Sequence, residues 1–525
     1  KPYRCKIKAP GGDRAPPIKK GEWLMMRTRR MLAGALLAAC LSLPGGAAFA
    51  AKERLTIDLV GEPNSLDPHV QWNPDSYYVY RNIFDNLVTR DDKGVIAPQV
   101  ATSWKQLSDT KIQFQLRDDI TFHDGSKLTA DDVVFSVKRI TDPKFASPQL
   151  GQFDKIIDAV ADDAKTVTLT TQGAYPALLA QLVKLSVVPK KVVEAVGKDA
   201  FNLAPVGSGP YKFGAWQRGV AVTLNRNDAY WGTKAAFPSV VFRAIPDAAT
   251  RVANLMAGTS DLAANLDGDL AAQLKTSQRA KPVPVLTERV AYLAMNVQKE
   301  PLNDPRVRRA IAQAIDKQAI TDGVLGGTEK PLAQMLSPAH EGFVEGIKDL
   351  PFDLAKAKAE LAAVGPKAKQ EIALVTAPVY DQRVVQALQQ MLVDAGLSVK
   401  IEMTDMGSWL KRMQSGPDSI PVMAFSRWSC GCQDADGVLF PILHSASGWA
   451  NAKDKAIEDA LETGRQTLDP AKRLAAYKTV HERIASEHFV IPLYQAAQMY
   501  GTSKNLVWTP TPNESIFVNR MSWKD

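Results

Sequence analysis

The chain of 525 residues carries 64 Lys and Arg against 56 Asp and Glu, but residues 1–50 alone hold ten basic and two acidic side chains, so the remaining 475 residues balance at 54 of each sign. A neutral body gives no electrostatic case for nucleic acid or an anionic membrane surface, because phosphate binding needs surplus positive charge on the folded part. Hydrophobic and charged fractions of 45% and 23% match ordinary soluble domains and exclude disorder, collagen and a multispan membrane protein; at roughly 150 residues per domain the body should form two or three.

The first element is an export signal. Met26–Arg30 supplies a positive segment, Met31–Leu43 thirteen mostly apolar residues, and Ala48-Phe49-Ala50 small residues around a cleavable bond. The apolar run is short for a membrane span. Cleavage after Ala50 would release the protein into the periplasm, whereas Leu37-Ala38-Ala39-Cys40 offers the alternative of a lipobox with an acylated, anchored cysteine. Residues 1–24 lack structure signals and precede two candidate start methionines, Met25 and Met26, so they are expected to be a non-native upstream extension. After cleavage only Cys430 and Cys432 remain. The fold must therefore rest on ordinary cores and not on a disulfide scaffold.

Strand-like and helix-like segments alternate through the mature chain, which predicts α/β or α+β lobes. Leu55–Val60 and Lys111–Arg117 place apolar residues at every second position, so each should be a strand with one covered face. Asp124-Gly125 reads as a tight turn. Thr129 followed by Asp132 resembles a capping box, opening a helix with Val133, Val134, Val137 and Ile140 in one stripe. Asp304-Pro305 and Asp469-Pro470 each join a capping acceptor to a proline at the first helical position. The helices behind them carry Val307, Ile311, Ala314, Ile315 and Leu474, Tyr477, Val480, Ile484 on one face each. A helix through Val384, Val385, Leu388, Met391 and Leu392 should close at Gly396, and Val399–Met403 reads as a further strand.

Several stretches stand out beyond this patterning: EPNSLDPH from Glu62, ITFHDGSKLTADDVVFSVKRI from Ile120, VGSGPYKF from Val206, YWG from Tyr230, LMAGTSDLA from Leu255, and YLAMN followed by DPRVRRAIAQAIDK. In order and spacing the chain from about 55 to about 520 resembles the family 5 extracellular solute-binding proteins of bacterial ABC importers, which include dipeptide- and oligopeptide-binding proteins. Taken as chemistry, the motifs read as scaffold. His123 has no second His or Cys at metal spacing and should be a hydrogen-bonding turn residue; GSGPY lacks the lysine of a phosphate loop and should supply glycines for a sharp turn. His481 and His488, two turns apart, read as partly buried structural histidines.

The resemblance implies an α/β fold of the periplasmic binding protein type, a two-lobed Venus-flytrap clamp of type II, cluster C-like, with mixed sheets and an enlarged first lobe. The first lobe would comprise residues 51–288 with 489–525 and the second 289–488, crossing through Val290–Asn296 and Phe489–Tyr494. A ligand held by both lobes would favour the closed form, and a membrane permease would read that form; a monomer without cofactor, metal, nucleic-acid partner or enzymatic activity is expected. The cargo would be a short peptide or peptide-like solute.

Family members carry a Trp-x-x-Asp pattern whose carboxylate pairs with the α-amino group of a peptide. The matching segment is Arg427-Trp428-Ser429-Cys430-Gly431-Cys432-Gln433-Asp434-Ala435-Asp436, with glycine where Asp is expected. Either Asp434 or Asp436 is swung into place, or the cargo has no free amino group to anchor there; the missing Asp favours, as the alternative to a peptide, a non-peptide cargo such as an opine, a glutathione-like thiol, a glycoside or a metal chelate. Both carboxylates could equally cap the helix that follows. Trp428 offers a stacking wall or ordinary packing. Cys430-Gly431-Cys432 admits a small disulfide ring, free thiols facing the cleft, or a soft-metal contact, and a thiol-disulfide activity with His444 as helper is a further alternative. Trp72, Tyr77, Asn265 and Asp267 are further cleft candidates, and Trp409 is expected in the core.

Overall fold

The computed structural model describes residues 53–70 and 73–524. The expected upstream extension, the export signal, the alternative lipobox cysteine Cys40 and the cleft candidate Trp72 lie outside the described residues. Among the described residues no helix is long and apolar enough to cross a membrane.

A mixed sheet of eleven strands forms the spine. Its path runs from Ser398–Met403 through Glu371–Thr376, Met423–Trp428, Ala280–Met295, Val490–Ser503, Leu262–Ala263, Arg54–Leu59, Ser239–Ala244 and Ala221–Arg226 to Tyr211–Gln217, with Lys330–Pro331 beside Val490–Ser503. Ala280–Met295 and Val490–Ser503 pair antiparallel from Ala280 opposite Ser503 to Ala294 opposite Val490, and their ladder slips between Leu286 and Val290. A separate antiparallel sheet of four strands comprises Ala101–Ser108, Lys111–Leu116, Thr166–Thr171 and Ile156–Asp163. Residues 290–496 supply nearly all of one buried cluster. A second joins residues 55–264 to 500–521, and a third lies within 87–187.

Local chemistry explains most element ends. Thr129 and Asp132 form the expected capping box, with Asp132 Oδ2 accepting from the Thr129 amide at 2.9 Å. Asp304 and Asp469 accept from amides of the helices Pro305–Ala314 and Pro470–Glu487, and Gly396 closes Gln382–Ala395 in the left-handed region at φ 104°. Three expectations need correction. Leu55 to Leu59 are all buried, not covered on one face, because the strand lies between parallel partners in the interior of the sheet; the buried Asp58 is held by Arg243 at 2.6 and 3.0 Å. Leu474 is exposed, and Arg473 takes the inward position on that helix. His481 is fully and not partly buried, and His488 is nearly so, having left the helix as its closing residue at φ 52°.

The stretches that carry the family resemblance are staples of the core. Arg139 grips Asp67 through two bonds of 2.9 and 2.5 Å and donates to His69 Nδ1, while His69 Nε2 donates to the Ser186 carbonyl. Those roles require the neutral Nε2–H tautomer, and burial holds the His69 pKa down at about 4. The YWG and GSG segments converge on buried Asp85, which accepts from Tyr230, Trp231 and Ser208 at 2.9–3.0 Å. His123 links the same region by accepting from the Gly207 amide and donating to the Gly209 carbonyl. Gly207 and Gly209 serve close packing more than turning: a Cβ at either would collide with the Ile83 backbone.

Two stability predictions follow from these buried groups. Arg139→Ala leaves Asp67 buried without its partner and should lower unfolding free energy by about 3–5 kcal/mol, read from the urea midpoint. His481 is buried with neither ring nitrogen hydrogen-bonded among the described residues, and its pKa is pushed down to about 3 by that burial. Stability from this depressed base is complete above its unfolded pKa of about 6.5 and is lost as pH falls toward 3. His481→Leu should therefore flatten the acid limb, removing about 1.4 kcal/mol of loss per pH unit between roughly pH 6 and 4; an unchanged acid limb in pH-dependent melts would contradict it.

Candidate ligand-binding site

The slip in the central ladder builds the site. At Leu286–Val290 the two long strands stop pairing in register; Thr287 Oγ1 donates to the Ala496 carbonyl and Gln495 Nε2 to the Thr287 carbonyl, both at 2.8 Å, so the irregular backbone is still hydrogen-bonded. Such bulges re-aim side chains. Here Glu288 and Arg289 enter the wall of a cavity of about 570 Å³. That cavity is further lined by residues 73–77, 151–154, 175–184 and Asn513, together with Trp428 to Gly431, residues of the helix Asp436–Leu443, and Arg465.

Trp428 is fixed as a wall. Its Nε1 donates to the Gly437 carbonyl at 2.9 Å, and its ring meets Trp449 edge-on with centroids 5.0 Å apart. Cys430 and Cys432 are joined in a disulfide with Cα atoms 5.0 Å apart. The bridge lies on the first turn of the following helix, where Gly437 is required because a Cβ there would stand 2.6 Å from the Cys432 sulfur and closer still to that of Cys430. Cys430 reaches the cavity wall, whereas Cys432 is buried behind it, its carbonyl accepting from Arg90.

The two carboxylates of this segment are committed to arginines. Asp434 Oδ1 accepts from Arg473 Nη2 at 2.7 Å and from the Asp436 amide at 2.8 Å, a helix-start role outside the cavity lining. Asp436 lines the cavity with Arg465 Nε 2.8 Å from its Oδ1, an ion pair without hydrogen-bond alignment. Burial, as the leading cause, pushes the Asp436 pKa up to about 6.

Tyr77, Trp428, Ser429, Cys430, Gly431 and Asp436 are thus brought together. Arg427 lies elsewhere, over the Tyr380 ring, as does His444, stacked on Phe440. Asp267 caps the helix Gly268–Gln273, and Asn265 accepts from Gln498, both outside the cavity lining. Trp409 is in the core.

Sequence reasoning missed the charged floor. Arg289 is locked to Glu514 by bonds of 2.7 and 2.9 Å, and the Tyr77 hydroxyl donates to Glu514 at 3.4 Å. Ser429 Oγ donates to Glu288 Oε1 at 2.5 Å. Burial, reinforced by the Glu514 charge, pushes the Glu288 pKa up to about 7. Lys184, in the facing wall, is brought down to about 7 by burial and donates to Gln152. The only local signal was a charged pair, Glu288-Arg289, directly before the apolar run Val290–Met295 within the strand Ala280–Met295. Nothing nearby announces Glu514, more than two hundred residues away.

The family model described as bacterial extracellular solute-binding proteins, family 5 Middle, matches residues 95–450. Glutathione-binding protein GsiB of Shigella boydii serotype 4 (strain Sb227) is 26% identical over 493 residues, covering 90% of this chain and 94% of that protein. Among solved structures, the ABC transporter-associated periplasmic binding protein DppA from Helicobacter pylori in complex with peptide STSA superposes with a TM-score of 0.76 at 26% identity, covering 90% of this chain and 98% of that one. The PBP AgaA in complex with agropinic acid, from A. tumefacien R10, gives a TM-score of 0.74 at 27% identity, with 90% and 99% covered. The family model covers well over half of the chain, and the chain belongs to the bacterial extracellular solute-binding proteins of family 5, the two-lobed binding components of ABC importers.

Proposed function

We propose that the protein captures a short peptide or peptide-like solute in the periplasm, as a monomer, and presents it to the permease of an ABC importer. The carrying observation is the cavity between residues 73–184 and residues 428–465, floored by the slipped ladder of the two long strands. Its volume, about 570 Å³, falls in the range of small-molecule sites, and its lining mixes aromatic walls with a few charged groups. The lobes are taken as residues 51–288 with 489–525, and residues 289–488. Arg90 on the Cys432 carbonyl and Arg383 3.2 Å from Asp269 would then be contacts made on closure.

A second reading keeps the clamp and changes the cargo. Gly431 brings no carboxylate, and Asp434 and Asp436 already face Arg473 and Arg465, so the usual anchor of a peptide amino group is missing from this loop. That favours solutes such as glutathione, an opine, a glycoside or a metal chelate. The names of the relatives support the same range: glutathione for GsiB, peptide STSA for DppA and agropinic acid for AgaA. A thiol-disulfide role for Cys430 and Cys432 has less support, since Cys432 is buried behind the wall and Gly437 packs against the bridge.

Thermal melts with the peptide STSA, glutathione and agropinic acid separate the readings. A true cargo at a hundred times its Kd should stabilise the protein by about 2.7 kcal/mol, and a null result with all three would contradict the proposed range. Trp428→Ala should weaken binding of the stabilising solute by roughly tenfold while the free protein, destabilised by the lost packing, still unfolds in a single cooperative urea transition. Unchanged affinity by calorimetry would remove this wall from the site.

A further inference from the structure

Three carboxylates line the cavity: Asp154, Asp436 and Glu288. Asp154 is exposed, so water competes for any cation it meets. Asp436 already faces Arg465. Glu288 differs from both: it is 2% exposed, one oxygen accepts from Ser429, and the other has no hydrogen-bond partner among the described residues. A buried carboxylate oxygen left unbonded is costly, and native proteins keep such groups where a ligand completes them.

The surrounding charges add a second argument. Arg289 gives its Nε and Nη2 to Glu514 in a two-pronged pair. Glu288, Arg289 and Glu514 therefore sum to one negative charge when all are ionised, with no cation left over within the cluster. A primary ammonium matches this deficit in charge and in form, since it brings three donors and no acceptor. Ser429 holds Glu288 in place and belongs to the same loop as Trp428, so an ammonium at Glu288 would bring its cargo against the indole wall.

We infer that Glu288 is the anchor for the amino group of the cargo, performing from the slipped strand the task that the glycine at 431 leaves open in the loop. This rests on the reading of the cavity as the binding site for a peptide or peptide-like solute, and it narrows that class to solutes with a free amine. The carboxylate is held by the scaffold, not by a mobile loop, so the amine end should be the part of the cargo most strictly selected.

The test uses a mixture of tetrapeptides with free amino termini and the same mixture N-acetylated, incubated with the full-length protein and with Glu288→Gln, retained members being identified by mass spectrometry. Gln preserves the acceptor that Ser429 uses, and melting curves of the variant confirm that it folds. Glu288→Asp, which keeps the charge, serves as the partial rescue. The expected result is that the parent retains free-amine members about tenfold or more over acetylated ones, that Glu288→Gln loses the preference while still binding, and that Glu288→Asp recovers part of it. A preference unchanged in Glu288→Gln overturns the anchor and leaves the peptide reading standing. Equal retention of both mixtures by the parent also overturns the anchor alone. Retention of no member of either mixture overturns the peptide reading and this inference with it.

Discussion

The antiparallel pairing of Ala280–Met295 with Val490–Ser503 is the constraint on which the rest depends. Two strands of this length tie together parts of the chain that otherwise bury separate cores. A regular ladder would alternate its side chains strictly between two faces. The slip at Leu286–Val290 breaks that alternation and sets Glu288 and Arg289 into the cavity. The backbone stays hydrogen-bonded through the side chains of Thr287 and Gln495, so the irregularity is a built feature.

From that floor the site is assembled by groups that are individually over-determined. Trp428 is pinned by a carbonyl and a second indole, the Cys430–Cys432 bridge rests on a helix turn that admits only glycine, and Asp434 is held by Arg473. In the proposed site this rigidity would leave cargo selection to the few polar groups not already satisfied inside the protein. Preorganised walls also lower the ordering cost of binding. Closure then follows from simple thermodynamics: a solute touching both sides of the cavity shifts the equilibrium by its differential affinity for the closed form, and by no more.

Much of the fold was legible because its signals are local. Asp-Pro helix starts, the Thr129–Asp132 box and Gly396 each act within one helical turn, and all appear where the sequence places them. Burial on both faces was not legible for Leu55–Val60, since alternation records polarity and not the number of layers around a strand. Leu474 misled for a related reason: Arg473 is drawn inward by Asp434, an interaction between segments the sequence keeps well apart. The site divides the same way. The loop around Trp428 could be found by its motif, but Glu288 and Lys184 come to one cavity, and Glu514 to Arg289, through tertiary structure alone. The absent carboxylate at Gly431 was visible; its compensation was not, because a ladder slip has no signature in side-chain pattern.

The central claim is that a small solute holds two parts of one protein together around this cavity. Small-angle scattering on protein stripped of bound solute by unfolding and refolding, then recombined with whatever its native preparation releases, measures that directly. The account predicts a smaller radius of gyration with solute than without, reversed when the solute is removed. Identical scattering profiles in the two states, with binding shown independently in the same samples, would contradict it.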